Sequence, residues 1–366
     1  MHYNWQLPNW ANFTYDDAVF DSLIINFALE TGEMKGLADS FPEPVRQEAM
    51  LEFMISEAVK TSEIEGEFFS RQDVMSSIKK QLGMTDELPK SRDKKSQGIA
   101  ALMIAVQQSY KDEFSEMLLK NWHHLLMQNV PYIKAGEYRT GKEPMQIVSG
   151  ALGREVVHFE APPSELIPQE MENFVQWYNN FKVSTADVKN ILVKTALSHL
   201  YFESIHPFED GNGRIGRAIS QKCLSESFGM PFLISLSGTI EKDKRQYYNA
   251  LKSAQRTLEI TDWIFYFSSV VLEAQKQAKQ TILLTLNKSK FLDRHKPQMN
   301  ERQTKAIMKM FEFGTRGFEG GLTAKKYVSI TKVSRATATR DLQDLTVKEI
   351  LLQQGEGRNV RYQLNL

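Results

Sequence analysis

Two helix-periodic runs meet at a proline and a cluster of glycines, and this break constrains the fold more than any other part of the 366-residue chain. From Asp187 to Ile205 the residues Val188, Ile191, Leu192, Thr195, His199 and Phe202 share one helical face. Pro207 stops that helix, because the residue before a proline is pushed out of the α region. A second helix is predicted from near Gly213 to Phe228, with Ile215, Ala218, Ile219 and Cys223 toward a core and Gly229 as its stop. Between them runs His206-Pro207-Phe208-Glu209-Asp210-Gly211-Asn212-Gly213-Arg214-Ile215-Gly216-Arg217. A tight loop that opens a helix presents free amides at the positive end of the helix dipole, which is an anion site. Gly211 and Gly213 let a ligand approach the backbone closely.

The same periodicity dominates the first three quarters of the chain, so the expected fold is mainly α. Residues 1–95 read as an N-terminal helical region ending in the polar run Asp86 to Lys95; its second helix starts near Pro44 and stops at Gly66. Trp5, Trp10, Phe13 and Tyr15 read chemically as packing residues. Residues 96–285 form one helical domain interrupted at 145–159, where strand-forming residues flank glycines and predict a hairpin. After the basic stretch Lys288 to Lys296 the pattern changes. Residues 296–366 follow the order helix, turn, helix, hairpin, as in a winged helix-turn-helix, with Ser334 as a helix cap and Ile350–Gln354 facing Val360–Leu364.

Charge and composition narrow the chemistry. The 45 basic and 45 acidic residues cancel, so no global field favours nucleic acid or membrane, although 296–366 holds thirteen Lys and Arg against seven Asp and Glu. One cysteine, Cys223, excludes an internal disulfide and a thiolate zinc cluster and fits a reducing compartment. No signal peptide is evident, and stretches such as Trp263 to Leu272 are too short for the roughly 20 residues of a membrane span. A cytoplasmic protein without a membrane anchor is the expectation.

Within the break, Arg214 and Arg217 lie three apart and can clamp phosphate oxygens, and Asp210 is the carboxylate that Mg2+ would take beside substrate phosphates. His206 can act as a base near neutral pH. Each element alone is commonplace: Asp-Gly-Asn-Gly usually makes a turn. An EF-hand is excluded, because Gln221 stands at its glutamate position. Base, metal carboxylate, anion hole and two arginines together suit phosphoryl or nucleotidyl transfer.

The twelve residues resemble the signature His-Pro-Phe-x-Asp/Glu-Gly-Asn-Gly-Arg-x-x-Arg of the Fic family of protein adenylyltransferases, with every specified position matched. The resemblance implies a helical core over 96–285 that moves AMP from ATP to a side-chain hydroxyl of a target protein. It makes His206 the base, Asp210 the Mg2+ ligand, and Gly211, Asn212, Gly213 and Arg214 phosphate-binding residues, with Arg217 on the γ-phosphate. Tyr247 matches the adenine-side tyrosine, whereas Gln255 stands where asparagine is common. The hairpin 145–159 matches a flap that holds the target as an added strand, with Val148, Ser149 and Gly150 on the nucleotide side. Thr61, Glu65 and Gly66 match the family's inhibitory pattern Ser/Thr-x-x-x-Glu-Gly/Asn, in which the glutamate holds the second arginine, here Arg217. A carboxylate in the last turn of a helix is disfavoured by the dipole and calls for such a cation.

Two alternatives remain open at this point. The same fold can remove AMP rather than add it. The 296–366 module can belong to a DNA-binding regulator, with Arg335, Thr339 and Arg340 on a recognition helix and Arg358 in the wing, although Asp341 and Asp344 on that helix would repel phosphate. The resemblance also leaves self-modification and homodimerisation open. The target, the modified residue and the signal that frees Glu65 are not written in the sequence.

Overall fold

The computed structural model describes residues 2–39, 41–84, 93–149, 156–311, 318, 320–356 and 359–366. Its helices begin with α1 (Asp21–Asp39), α2 (Glu43–Ile64), α3 (Arg71–Gln81), α4 (Lys94–Gln108) and α5 (Glu116–Met127). The hairpin β1 (Gln146–Ser149) and β2 (Val156–Glu160) precedes α6 (Ile167–Asn180), α7 (Val188–Ile205), α8 (Asn212–Phe228), α9 (Leu236–Ile240), α10 (Lys244–Ala254) and α11 (Thr261–His295). Then come α12 (Glu301–Phe311), α13 (Ala324–Thr331), α14 (Arg335–Val347), β3 (Leu351–Gln354) and β4 (Arg361–Leu364). Contacts divide the chain into two units, 1–37 with 50–278, and 38–49 with 279–366. The basic stretch that precedes the C-terminal module belongs to α11, which runs on to His295.

The first unit packs around α7 and α8, the two helices of the break. Every residue of α7 from Ile191 to Ile205 is buried, not only the one periodic face. Its serines and threonine survive burial because each is satisfied. Thr195 Oγ1 donates to Ile191 O at 2.7 Å, Ser198 Oγ to Lys194 O at 2.6 Å, and Asn4 Nδ2 to Ser204 Oγ at 2.9 Å. The Lys194 ammonium lies 4.1 Å from the centre of the Tyr178 ring. On α8, buried Lys222 donates to Asp112 O at 2.6 Å and Tyr110 O at 3.0 Å, closing the turn after α4. The helix α4 approaches α5 closely at Gly98, where a Cβ would fall 2.5 Å from Leu126 O. Ile99, Leu102, Trp122, Phe174, Phe202 and Ile219 fill the core between these helices; such side chains contribute roughly 1.5–3 kcal/mol each when fully buried.

The hairpin forms where expected, with β1 and β2 antiparallel and a bulge between Ile147 and Val148. Residues 150–155, including Gly150, lie outside the described residues. Trp5 Nε1 donates to Glu160 O at 2.7 Å and Arg256 Nη2 to His158 O at 3.1 Å, so β2 is held along its backbone. Trp10 and Phe13 meet Tyr201 edge-on, which is the packing role expected of them.

In the second unit, Ile307, Met310, Tyr327, Leu342, Leu345 and Ile350 form a separate core. Ser334 caps α14 by accepting from Thr337 N at 3.2 Å, and β3 pairs antiparallel with β4. One expectation needs correction: Asp341 does not stand on the outward face of α14, whereas Asp344 stays partly exposed there. Asp341 is buried and accepts from Arg302 at 3.0 and 3.2 Å and from the Tyr327 hydroxyl at 2.9 Å. Asp344 accepts from Gln303 at 2.7 Å and Lys348 at 2.6 Å. Asp341 turns inward because α12 offers it a cation, and Asp344 is paired by the next turn of its own helix. Among the described residues, no helix is long and apolar enough to cross a membrane.

Candidate active site

The site is built on the turn between α7 and α8. His206 caps α7 in the left-handed conformation, φ 50°, which a non-glycine residue adopts only when its surroundings hold it there. Arg139 supplies that hold. Its backbone N donates to Pro207 O at 3.0 Å, its Nε to His206 O at 2.9 Å, and its guanidinium also reaches Ser164 Oγ at 2.8 Å and Pro162 O. The chain leaving the hairpin is thereby tied to the His206 turn. Burial pushes the His206 imidazole down to about 4, with Arg139 adding to the effect, so the ring is neutral near pH 7.

Two further groups shape the loop. The Asn212 side chain accepts from Phe208 N at 3.0 Å and donates to Phe208 O at 2.8 Å, so its amide is spent on bridging the loop. His123 of α5 stacks on Phe208 with centroids 3.9 Å apart, accepts from Gly136 N at Nδ1 (2.8 Å), and therefore donates from Nε2 to Asp210 O at 3.2 Å. Burial pushes His123 down to about 4, consistent with that neutral tautomer.

At the start of α8 both arginines are buried and both are already paired. Arg217, 1% exposed, donates from Nε to Thr61 Oγ1 at 2.8 Å, and from Nη2 to Thr61 O at 3.1 Å and Glu65 Oε1 at 2.7 Å. Burial opposes its charge, but Glu65 more than offsets this, and the guanidinium is held above its ordinary value. The Glu65 carboxylate rests against Gly213, where a Cβ would collide with Oε1, so it occupies the first turn of α8 where an anion would sit. Gly66 takes φ 80° and turns the chain so that Glu67 Oε2 accepts from Arg214 Nη1 at 2.6 Å. The helix leading to these acids is pinned by buried Glu57, which accepts from Ser235 Oγ at 2.8 Å and Ser237 N at 3.0 Å.

Asp210 stands half exposed, its Oδ1 accepting from Gly211 N at 2.5 Å and Arg214 Nη2 at 3.3 Å. A single accessible carboxylate beside an anion site suits Mg2+, which takes one or two carboxylates and completes its shell with substrate oxygens. Among the described residues, no three His, Cys, Asp or Glu gather as a metal cluster. Tyr247 is buried with its hydroxyl 2.8 Å from His199 Nε2. Gln255 is buried too, and donates from Nε2 to Glu203 O at 3.2 Å. Val148 and Ser149 lie in β1.

Sequence reasoning thus reached His206, Asp210, Arg214, Arg217, Thr61 and Glu65, which the structure brings together. It missed Arg139, His123, Glu57, Glu67 and Glu203. Only Glu67, two residues after Glu65, carried a local signal.

Residues 113–224 match the family described as Fic/DOC family, and residues 3–84 match one described as Domain of unknown function (DUF4172). Over 97 residues, 26% of this chain and 27% of the relative, the chain is 34% identical to a probable protein adenylyltransferase of Aquifex aeolicus. Over 132 residues, 36% of this chain and 23% of the relative, it is 30% identical to the protein adenylyltransferase Fic of Drosophila melanogaster. A Fido domain-containing protein of Dictyostelium discoideum is 39% identical over 95 residues, 26% of this chain and 62% of the relative. The matches therefore span less than two thirds of each of these relatives. Among solved structures, a Fic family protein from Desulfovibrio desulfuricans superposes with TM-score 0.59 at 20% identity over 96% of this chain and 97% of that one. A Fic domain containing signaling protein from Bacteroides thetaiotaomicron gives 0.53 at 23% identity over 72% and 97%. At these identities the likeness concerns the fold. With the signature loop inside the matched segment and the same fold around it, this chain carries a Fic/DOC-family domain.

Proposed function

We propose that the protein is a protein adenylyltransferase that transfers AMP from ATP to a hydroxyl side chain of a target protein, and that Glu65 restrains it. The observation that carries this reading is the carboxylate of Glu65 lying in the first turn of α8 on Arg217, where a terminal phosphate would bind. When ATP enters, its γ-phosphate replaces that carboxylate on Arg217, while Arg214 and the amides of Gly211 to Gly213 hold the other phosphates. His206, neutral at the mouth of the loop, takes the proton of the target hydroxyl; the hydroxyl oxygen bonds to the α-phosphorus and pyrophosphate leaves. Mg2+ on Asp210 would neutralise phosphate charge. The hairpin β1–β2 docks the target as an added strand; exposed Val148 and Val157 sit on it, and β2 is anchored from behind by Trp5 and Arg256. Incubation with ATP labelled at the α-phosphate, then at the γ-phosphate, tests this. Label from the α-position on protein supports AMP transfer; label only from the γ-position would make the protein a kinase. Loss of label from a pre-modified target, dependent on Glu65, would favour AMP removal.

A second reading concerns the module 296–366, read here as a winged helix that docks duplex DNA. The burial of Asp341 against Arg302 and Tyr327 favours it, because it takes one of the two acids off the helix surface, and the other, Asp344, is paired with Lys348. From Gly320 to Arg340 the sequence holds Lys325, Lys326, Lys332, Arg335 and Arg340 and no Asp or Glu. Arg335, Thr339, Arg340 and Gln343 are exposed on α14, as base-reading side chains must be; Arg358 lies outside the described residues. A DNA mobility shift by the full chain that weakens steeply with salt and is lost in Arg335→Ala/Arg340→Ala supports this; no shift at low salt sinks it.

A further inference from the structure

The carboxyl of Glu203 takes no part in the reaction as described, yet it lies one helical turn before His206 and faces it. Glu203 Oε2 is 3.7 Å from His206 Nδ1, with side chains 4% and 11% exposed. Glu203 Oε1 and His206 Nδ1 are both buried with no hydrogen-bond partner among the described residues. Leaving such groups unpaired costs stability, so a retained pair of this kind calls for a role. The space is made for the carboxyl: a Cβ on Gly216 would fall 2.5 Å from Glu203 Oε1. The backbone beneath it is fixed, Glu203 O accepting from Gln255 and the next residue, Ser204, from Asn4.

We propose that Glu203 is a positioning residue for His206. Its carboxyl selects the tautomer with the proton on Nδ1, which leaves Nε2 free to accept the hydroxyl proton, and its ionised form stabilises the imidazolium that results. This rests on the AMP-transfer reading above. The target hydroxyl's proton moves to Nε2, its oxygen bonds to the α-phosphorus, the bond to pyrophosphate breaks, and Glu203 neither gains nor loses a proton in the step. The charged and titratable groups around the pair are Arg217 from α8, Glu65 after α2, Tyr247 from α10, Arg139 and Asp210 from the loops, and His199 on α7 itself. Burial pushes the Glu203 carboxyl up to about 8, with Arg217 pulling it down and Glu65 pushing it further up. The rate should therefore climb through the mildly alkaline range as Glu203 ionises.

Glu203→Gln keeps the shape and the acceptor and removes only the charge. The test uses the Glu65→Gly protein, which the transferase reading expects to be the more active form and whose rate should show the same alkaline limb. Adding Glu203→Gln there should lower kcat at least about tenfold, the scale of a charge-assisted hydrogen bond. KM for ATP should stay unchanged and the limb should vanish. Gly216→Ala, which displaces the carboxyl, should lower kcat in the same way. Unchanged kcat and pH profile in Glu203→Gln would overturn the proposal, as would a loss carried in KM. Nitrogen-15 NMR of histidine-labelled wild type and Glu203→Ala reads the ring without any turnover: because the Glu203 backbone carbonyl also lies by the ring, a His206 proton held on Nδ1 in wild type and redistributed in Glu203→Ala supports the proposal, and the same tautomer in both, or a proton on Nε2 in wild type, overturns it. If no α-label is transferred by any form while the tautomer depends on the Glu203 carboxyl, the transferase reading fails and the positioning contact stands.

Discussion

Arg217 is a buried cation whose hydrogen bonds go to Thr61 and Glu65. Removing one partner of such a pair leaves a buried charge uncompensated, at a cost of about 3–5 kcal/mol, unless another anion arrives. Glu65→Gly should therefore lower the melting temperature of the ATP-free protein and enlarge the upward shift that ATP gives; equal shifts in both proteins would show that Glu65 does not compete with phosphate. His206→Ala should cut AMP transfer by about 10²- to 10⁴-fold while ATP still protects against melting, because it removes the base and spares the anion site. Full turnover in that variant would end the assignment. His206, Arg217 and Glu65 were legible because each belongs to a spaced motif. Arg139 and His123 were not, since a lone Arg or His carries no pattern, and their roles arise only when α5 and the chain after it fold against the loop.

Among the elements, α2 and the turn after it would act as one restraint in the proposed function. Glu57 holds the helix to Ser235 and Ser237, Glu65 meets Arg217, and past Gly66 the chain delivers Glu67 to Arg214. Glu67 also pairs with Lys95 at 2.6 Å and is 22% exposed, so its hold is the weaker one. Glu67→Gln should lower KM for ATP by a factor of about two to five, as expected for an ion pair worth roughly 0.3–1 kcal/mol. A raised KM would mean that Glu67 aids nucleotide binding instead. Helix boundaries were readable to within a residue or two around the break, where Pro207 and Gly229 punctuate the chain. The complete burial of α7 was not, because Lys194 and Ser198, off its apolar face, look like a solvent face until the contact with the Tyr178 ring and the bond to the preceding turn are seen.

Across the whole molecule all five tryptophans, Trp5, Trp10, Trp122, Trp177 and Trp263, fall in the first unit, so their fluorescence reports its unfolding alone. Burial lowers His123 and His206 from 6.5 to about 4 and His199 to about 3. The unfolded chain thus binds more protons in that window, and stability drains away as pH falls through it. Glu203 runs the other way: raised from 4.5 to about 8, it keeps a proton when folded, and stability falls as pH rises toward 8. The melting temperature read by tryptophan should peak between these limbs, in the mildly acidic range, and a profile rising steadily to alkaline pH would contradict the buried neutral groups. The division into units was less legible than the elements, because residues 38–49 cluster with the C-terminal part through contacts distant in sequence. In the proposed function Glu65 holds the place of the nucleotide's terminal phosphate, and the rate of α-phosphate labelling by full-length wild type, Glu65→Gly and Glu65→Gly/Arg217→Ala measures whether it does. A rise of about tenfold or more is expected in the single variant, and its loss in the double variant. Labelling that ignores Glu65, or a double variant as fast as the single one, would contradict it.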